Sequence, residues 1–173
     1  MDGVFITGTD TNVGKTSLSA GLLRMLYGSK PVVYWKPVQT GTMLGDDTKE
    51  VRSLSKVEDP TVILEPTYRF TDPVSPHFAA KKWGKRIEVS EILGQYQREK
   101  KPGSVWVVEG AGGLLVPFNE KELQLDLILQ LKLPLIVVTI DRVGAINQTL
   151  LTLNACRKAN VDVLGVVVTR SRG

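Results

Sequence analysis

Two hydrophobic periods take turns along this chain. Short apolar runs of strand length at 3–6, 31–35, 104–108, 134–140 and 163–169 alternate with stretches in which apolar residues recur every three or four positions. The helical stretches fall at 14–27, 75–83, 88–100, 123–131 and 145–160, with a shorter one from about Asp47 to Leu54 that Gly45-Asp46-Asp47-Thr48 can cap. In the first helix Leu18, Leu22, Leu23 and Leu26 share a face; in the helix at 88–100 Val89, Ile92, Leu93 and Tyr96 point inward. Residues 59–77 carry Pro60, Pro66, Pro73 and Pro76, too closely spaced for a regular helix, and predict an irregular connection. The run Ser104-Val105-Trp106-Val107-Val108 is continuous rather than alternating, the mark of a strand buried on both faces. Strand and helix alternate almost throughout, so the expected fold is α/β: a three-layer arrangement with a mostly parallel sheet and helices on both faces.

The polar and glycine-rich clusters follow the strands. Gly8–Thr16 comes after the first, Lys36–Gly41 after the second, Glu109–Gly113 after the third and Asp141–Asn147 after the fourth. In an open parallel sheet these ends converge on one rim, where ligands bind. The first cluster, Gly8-Thr9-Asp10-Thr11-Asn12-Val13-Gly14-Lys15-Thr16, joins a strand to a helix in the manner of a phosphate loop. Free backbone N–H groups and the helix dipole favour anions there; a lysine reaches the phosphates and a hydroxyl meets Mg2+. The common pattern puts four residues between its first Gly and the Gly-Lys pair; here there are five, with Thr9 where a Gly would stand. Glu109 ends a hydrophobic strand, where an acidic side chain can meet Mg2+. With Thr16 it supplies two oxygen ligands, and Asp47 is the candidate for a third. From the residues alone Glu109 also suits a cap or a structural ion pair, Asp47 a helix N-terminal charge, and Lys36, held extended by Pro37, a surface position. His77, the single histidine, is read as a loop anchor rather than an acid or base.

Composition narrows the field. The 173 residues fit one domain with a substantial core, and 42% hydrophobic against 23% charged residues fit a globular protein. No run approaches the ~18 apolar residues of a membrane span, and Met1 opens almost directly into a strand. The expectation is a cytoplasmic protein without signal peptide or membrane contact. One cysteine, Cys156, excludes an internal disulfide and a cysteine metal cluster and is expected to pack on a helix. The net charge of +4 is too diffuse for nucleic acid; Lys81, Lys82, Lys85 and Arg86 form the densest basic cluster, read as a solvated helix face.

Taken together, Gly-Thr-Asp-Thr-Asn-Val-Gly-Lys-Thr (8–16), Lys-Pro-Val-Gln-Thr-Gly (36–41), Ser-Pro-His-Phe-Ala-Ala (75–80), Val-Glu-Gly-Ala-Gly-Gly (108–113) and Val-Gly-Ala-Ile-Asn-Gln-Thr-Leu-Leu (143–151) resemble the dethiobiotin synthetase family, within the P-loop NTPase superfamily. The five-residue spacer is that family's form. The resemblance implies ATP- and Mg2+-dependent carboxylation and ring closure of 7,8-diaminononanoate with CO2 to the cyclic urea dethiobiotin, through a carbamate and a carbamic-phosphoric anhydride, releasing ADP and phosphate. It implies charge stabilisation by Lys15 and Lys36, and a carbamate positioned by Thr11. On the same resemblance, the phosphates would be wrapped by Asn12, Val13, Gly14, Lys15, Thr16 and Ser17. Mg2+ would be held by Thr16, Asp47 and Glu109, and the nucleotide and substrate pocket lined by Glu109, Gly110, Ala111 and Gly112. Thr40 would face the substrate, and Gly144, Ala145, Ile146 and Asn147 would bind its carboxylate across a two-fold homodimer.

At its end the sequence departs from the family pattern. Members continue past the last strand, whereas this sequence stops at Thr169-Arg170-Ser171-Arg172-Gly173, with Thr169 where an adenine-reading asparagine is usual. Thr169 and Arg170 are expected at the nucleotide, with weak base selectivity. Two other readings compete: an amide-forming or glutamine-dependent synthetase, for which no glutamine-hydrolysing domain is attached, and a partition- or metallochaperone-type ATPase. The latter usually carries a second lysine early in the loop, where this chain has Thr-Asp-Thr-Asn at 9–12.

Overall fold

The computed structural model describes residues 2–170. Six parallel strands form the main sheet: β1 (Gly3–Gly8), β2 (Val32–Trp35), β4 (Ile63–Leu64), β6 (Val105–Gly113), β7 (Leu135–Asp141) and β8 (Val163–Arg170), in the order β4-β2-β6-β1-β7-β8. The helices are α1 (Lys15–Leu26), α2 (Asp47–Ser55), α3 (Pro76–Lys82), α4 (Val89–Glu99), α5 (Gln124–Leu131) and α6 (Ala145–Lys158). The α/β architecture anticipated from periodicity is the one observed.

Side-chain alternation along the strands builds the two cores. Phe5, Val33, Trp35, Trp106, Val108, Leu135 and Val137 enter one cluster, with α4 and α5 over it. Their neighbours Ile6, Val32, Tyr34, Val107 and Val138 enter the other, under α1 and α2. Topology explains the split. The path from β1 through α1 to β2 passes β6 in one direction, and that from β6 through α5 to β7 passes β1 in the other. Right-handed crossovers running in opposite directions put their helices on opposite faces. The adjacent carboxyl ends of β1 and β6 therefore face a crevice between two diverging connections, the usual binding place of such sheets.

Three departures from the periodicity reading matter for the site. The segment expected to be irregular, 59–77, contributes β4 at the sheet edge and β5 (Tyr68–Arg69), which pairs in parallel with β3 (Val38–Gln39) in a small second sheet. Two-residue strands carry no period, so nothing in the sequence announces them. The glycine-rich stretch Glu109–Gly113 is strand rather than loop, because β1 pairs with it from Ile6↔Glu109 to Gly8↔Gly113. The basic cluster is not one helix face either: Lys85 and Arg86 lie beyond α3, Lys82 pairs with Asp72, and Arg86 pairs with Glu88 at 2.8 Å. Elsewhere boundaries shift by a residue or two, as at Gly14, whose φ of 94° keeps it outside α1 as the N-cap. Cys156 is buried on α6 as anticipated. Among the described residues no helix is long and apolar enough to cross a membrane.

Candidate active site at the carboxyl rim of the sheet

Glu109 is the centre of the site. It occupies the same face of β6 as Val107 and so points toward α1, fully buried. Four donors surround its carboxylate. The Thr16 hydroxyl donates to Oε1 at 2.9 Å and the Lys36 ammonium at 3.1 Å. The Ser19 hydroxyl lies 2.7 Å from Oε2 and the Tyr34 hydroxyl 3.2 Å. Burial alone would raise this carboxyl's pKa, but Lys36, Ser19 and Thr16 outweigh it and hold the group ionised below its usual range.

Lys36 is no surface lysine. It is buried at the end of β2 and forms a second ion pair, with Asp47 at the start of α2. Desolvation disfavours its charge, yet Glu109 and Asp47 together raise its pKa above the ordinary lysine value. Asp47 is brought there by a well-capped helix: the Lys49 N–H donates to Asp46 Oδ1 at 3.2 Å, and Asp46 itself pairs with Arg69 of β5. The small second sheet thus locates the α2 N-terminus that carries Asp47.

The loop between β1 and α1 closes over Lys15. Its ammonium donates to the Asp10 carbonyl at 2.9 Å, and burial together with the nearby Lys36 charge pulls its pKa down to about 8. Asn12 takes a left-handed backbone at φ 55°, and a side chain at Gly14 would strike the Thr169 methyl at 2.8 Å. Asp10 is tied to Arg142 at 2.7 Å and to the Thr11 N–H at 2.7 Å, which hold its carboxyl below the usual range. Thr11, Asn12 and Ser17 are exposed at the mouth while Val13 is buried beneath it. Gly112 is within reach of Thr11, a Cβ built on it lying 3.7 Å from the Thr11 methyl.

Lys15, Thr16, Lys36, Asp47 and Glu109 are therefore brought together. Gly110 and Ala111 continue β6 beside them and are buried, with Gly112 half-buried. Thr40 follows β3, half-buried. Gly144, Ala145, Ile146 and Asn147 form the α6 N-terminus and stand apart: no hydrogen bond or ion pair among the described residues joins their side chains to the Lys36–Glu109 cluster. Their link to the loop runs through Arg142 and Asp10. The Thr169 hydroxyl lies 2.8 Å from the Val13 carbonyl and 3.2 Å from the Thr139 carbonyl, bracing the loop. Arg170 closes β8 opposite Asp141, exposed, and Ser171, Arg172 and Gly173 lie outside the described residues. The His77 N–H donates to the Pro117 carbonyl at 3.3 Å, and among the described residues its side chain makes no hydrogen bond.

Periodicity overlooked three groups that hold the site. Ser19 sits one turn beyond Thr16 on α1, a spacing that could have flagged it. Gln124 is a buried amide opening α5: its Oε1 accepts from the Ala111 N–H at 2.7 Å and its Nε2 donates to the Gly113 carbonyl at 2.9 Å. Tyr34 gave no signal, because in a strand an apolar role for tyrosine is the ordinary one.

A strand, an anion-cradling loop ending in Gly-Lys-Thr and a helix, on a parallel sheet with an acidic residue on the adjacent strand, define a phosphate-loop ATPase. A family model described as an AAA domain matches residues 2–173. The ParA family ATPase from Chlorobium tepidum TLS shares the fold, with a TM-score of 0.52 at 13% identity over 100% of this chain and 75% of that one. The ATP-dependent dethiobiotin synthetase BioD of Paramagnetospirillum magneticum is 41% identical over 97% of this chain and 76% of its own length. That of Lawsonia intracellularis is 42% identical over 95% and 74%, and that of Rhodopseudomonas palustris 39% over 94% and 73%. The chain belongs to the dethiobiotin synthetase family.

Proposed function

We propose that this protein is a Mg2+-dependent cytoplasmic enzyme that closes the cyclic urea of dethiobiotin from 7,8-diaminononanoate, CO2 and ATP, using one P-loop domain across 1–173. The observation that carries the reading is the buried Lys36 ammonium, held between two carboxylates beside the phosphate loop and its Lys15. Two preorganised cations next to an anion-binding helix terminus suit a reaction in which negative charge moves from a carbamate to a transferring phosphoryl group.

In the proposed sequence one substrate amine adds to CO2 and loses a proton, giving a carbamate that Thr11 and Lys36 orient. A carbamate oxygen attacks the γ-phosphorus as the bond to the bridging oxygen of ADP breaks. Lys15 and the N–H groups from Asn12 to Ser17 hold the phosphates in line. The second amine then attacks the carbonyl carbon of the mixed anhydride and loses a proton, phosphate leaves with the anhydride oxygen, and the ring closes. Lys36 meets the carbamate already charged, because Glu109 and Asp47 outweigh the desolvation that burial imposes on it.

Thr16, Glu109 and Asp47 are the oxygen ligands for Mg2+. Among the described residues no three His, Cys, Asp or Glu side chains cluster as a self-sufficient metal site. A set of one or two carboxylates and a hydroxyl suits an ion that draws its remaining ligands from phosphate and water. When bound, the ion neutralises charge on the β- and γ-oxygens.

The substrate carboxylate is assigned to the amides of Gly144–Asn147 on a second copy, within a homodimer. Exposed Val143, Ile146, Leu150 and Leu151 on and before α6 support this assignment. The decisive assay follows ADP formation with diaminononanoate and bicarbonate supplied separately and together. Turnover is expected only with both; ATP turnover that ignores the diamine refutes the synthetase reading and favours an ATPase switch.

A further inference from the structure

The donors around Glu109 are not equivalent. Thr16 and Lys36 approach Oε1 from the rim, while Ser19 and Tyr34 approach Oε2 from beneath. Ser19 has one hydroxyl proton and two acceptors in reach, Glu109 Oε2 at 2.7 Å and the Lys15 carbonyl at 2.9 Å. The α1 carbonyl competes for it, as serine in a helix commonly finds. The Tyr34 hydroxyl has Glu109 as its one acceptor among the described residues. Tyr34 is fully buried on β2, on the same side of the sheet as α1, and its ring is fixed in the core beneath that helix.

We propose that Tyr34 is a positioning residue that pins Glu109 Oε2 from below, so that Oε1 alone faces the rim as the ligand for a divalent cation. The inference rests on the assignment of Glu109 to Mg2+. Hydrogen-bonded carboxylates lose less freedom on ligating a metal, and removing such a partner typically lowers metal affinity about 10- to 100-fold. Without Tyr34, Oε2 shares the single Ser19 proton with the Lys15 carbonyl and the carboxylate turns about its last bond.

The test titrates Mn2+ into protein saturated with a non-hydrolysable ATP analogue, followed by calorimetry. Analogue affinity in chelator and the thermal midpoint are measured alongside. Tyr34→Phe keeps the ring and removes only the hydroxyl. The expected result is about tenfold weaker Mn2+ binding with metal-free analogue affinity within about twofold, and a larger loss in Glu109→Gln. Wild-type Mn2+ affinity in Tyr34→Phe beside a loss in Glu109→Gln overturns the role of Tyr34 and leaves Glu109 as a ligand. Unchanged affinity in Glu109→Gln overturns the metal assignment itself, and this inference with it. Ser19→Ala gives a second test that does not depend on the folding of the tyrosine variant. It should cost less than about threefold, since Tyr34 still holds Oε2; a loss of tenfold or more would make Ser19 the anchor and end the proposal.

Discussion

At the scale of single residues the site is a small set of buried charges whose state is decided by desolvation set against their ion partners. Lys15 has its pKa drawn down to about 8 from 10.5, first by desolvation and then by Lys36. A neutral amine offers phosphates no charge, so nucleotide affinity is expected to fall as pH rises through about 8, and Lys15→Met should flatten that profile. Binding measured between pH 7 and 9 checks this, and a flat wild-type curve counts against it. The same shift has a folding consequence. Between about 8 and 10.5 the unfolded chain holds a proton that the folded chain has released. The Lys15 contribution to stability therefore rises with pH across that window. Lys36→Ala should lower turnover about 100- to 1,000-fold, the scale seen when a preorganised charge is taken from a developing anion. It should also destabilise the fold, because Glu109 is left buried without its cation. Near-normal turnover in that variant would remove Lys36 from the chemistry.

At the scale of elements, function depends on how a strand and a loop are braced from outside. Gln124 satisfies backbone groups of Ala111 and Gly113 that β1 pairing leaves over, and a Cβ on Gly110 would come within 2.7 Å of its amide. Gln124→Leu strands buried polar groups at about 1–3 kcal/mol each; urea unfolding should show that loss, and a change under about 0.5 kcal/mol would contradict it. The loop is braced by Thr169. Thr169→Val keeps the shape and removes the hydroxyl bonded to Val13 and Thr139, so ATP-analogue affinity should drop several-fold, with a fall in thermal midpoint from the carbonyls that lose their donor. Because that hydroxyl is committed to the loop, base reading by Thr169 is weak on this account. The ratio of kcat/KM for ATP over GTP should then stay below about a hundredfold, the discrimination available without a dedicated base contact.

At the scale of the whole molecule, opposed right-handed crossovers open the crevice, and α6 leaves Ile146, Leu150 and Leu151 exposed, the face assigned to the proposed dimer. Sedimentation should find a dimer, and Leu150→Glu, placing a charge on an exposed apolar position, should yield monomer. A monomeric wild type, or a dimer indifferent to the substitution, would detach α6 from assembly.

Local chemistry in the sequence was enough to specify the helices, the long strands and the phosphate loop. Periodicity, capping residues and a glycine-rich turn act over a few positions and leave a local record. Convergence of Lys15, Lys36 and Glu109 was legible too, since parallel strands deliver their carboxyl ends to one rim; Asp47 was only a candidate there, because α2 and the small second sheet place it. The two-residue strands β3, β4 and β5 were not, nor the extension of β6 through Gly113, because each exists only through pairing with a distant segment. The same holds for Ser19, Tyr34 and Gln124. An isolated hydroxyl or amide in an apolar stretch looks like packing until the fold brings a buried carboxylate or a bare backbone group within hydrogen-bond reach. Tertiary structure alone decided which oxygen of Glu109 faces the rim and which faces the core, because its donors come from α1, β2 and the β2 terminus, whose separation in sequence carries no trace of their distance in space.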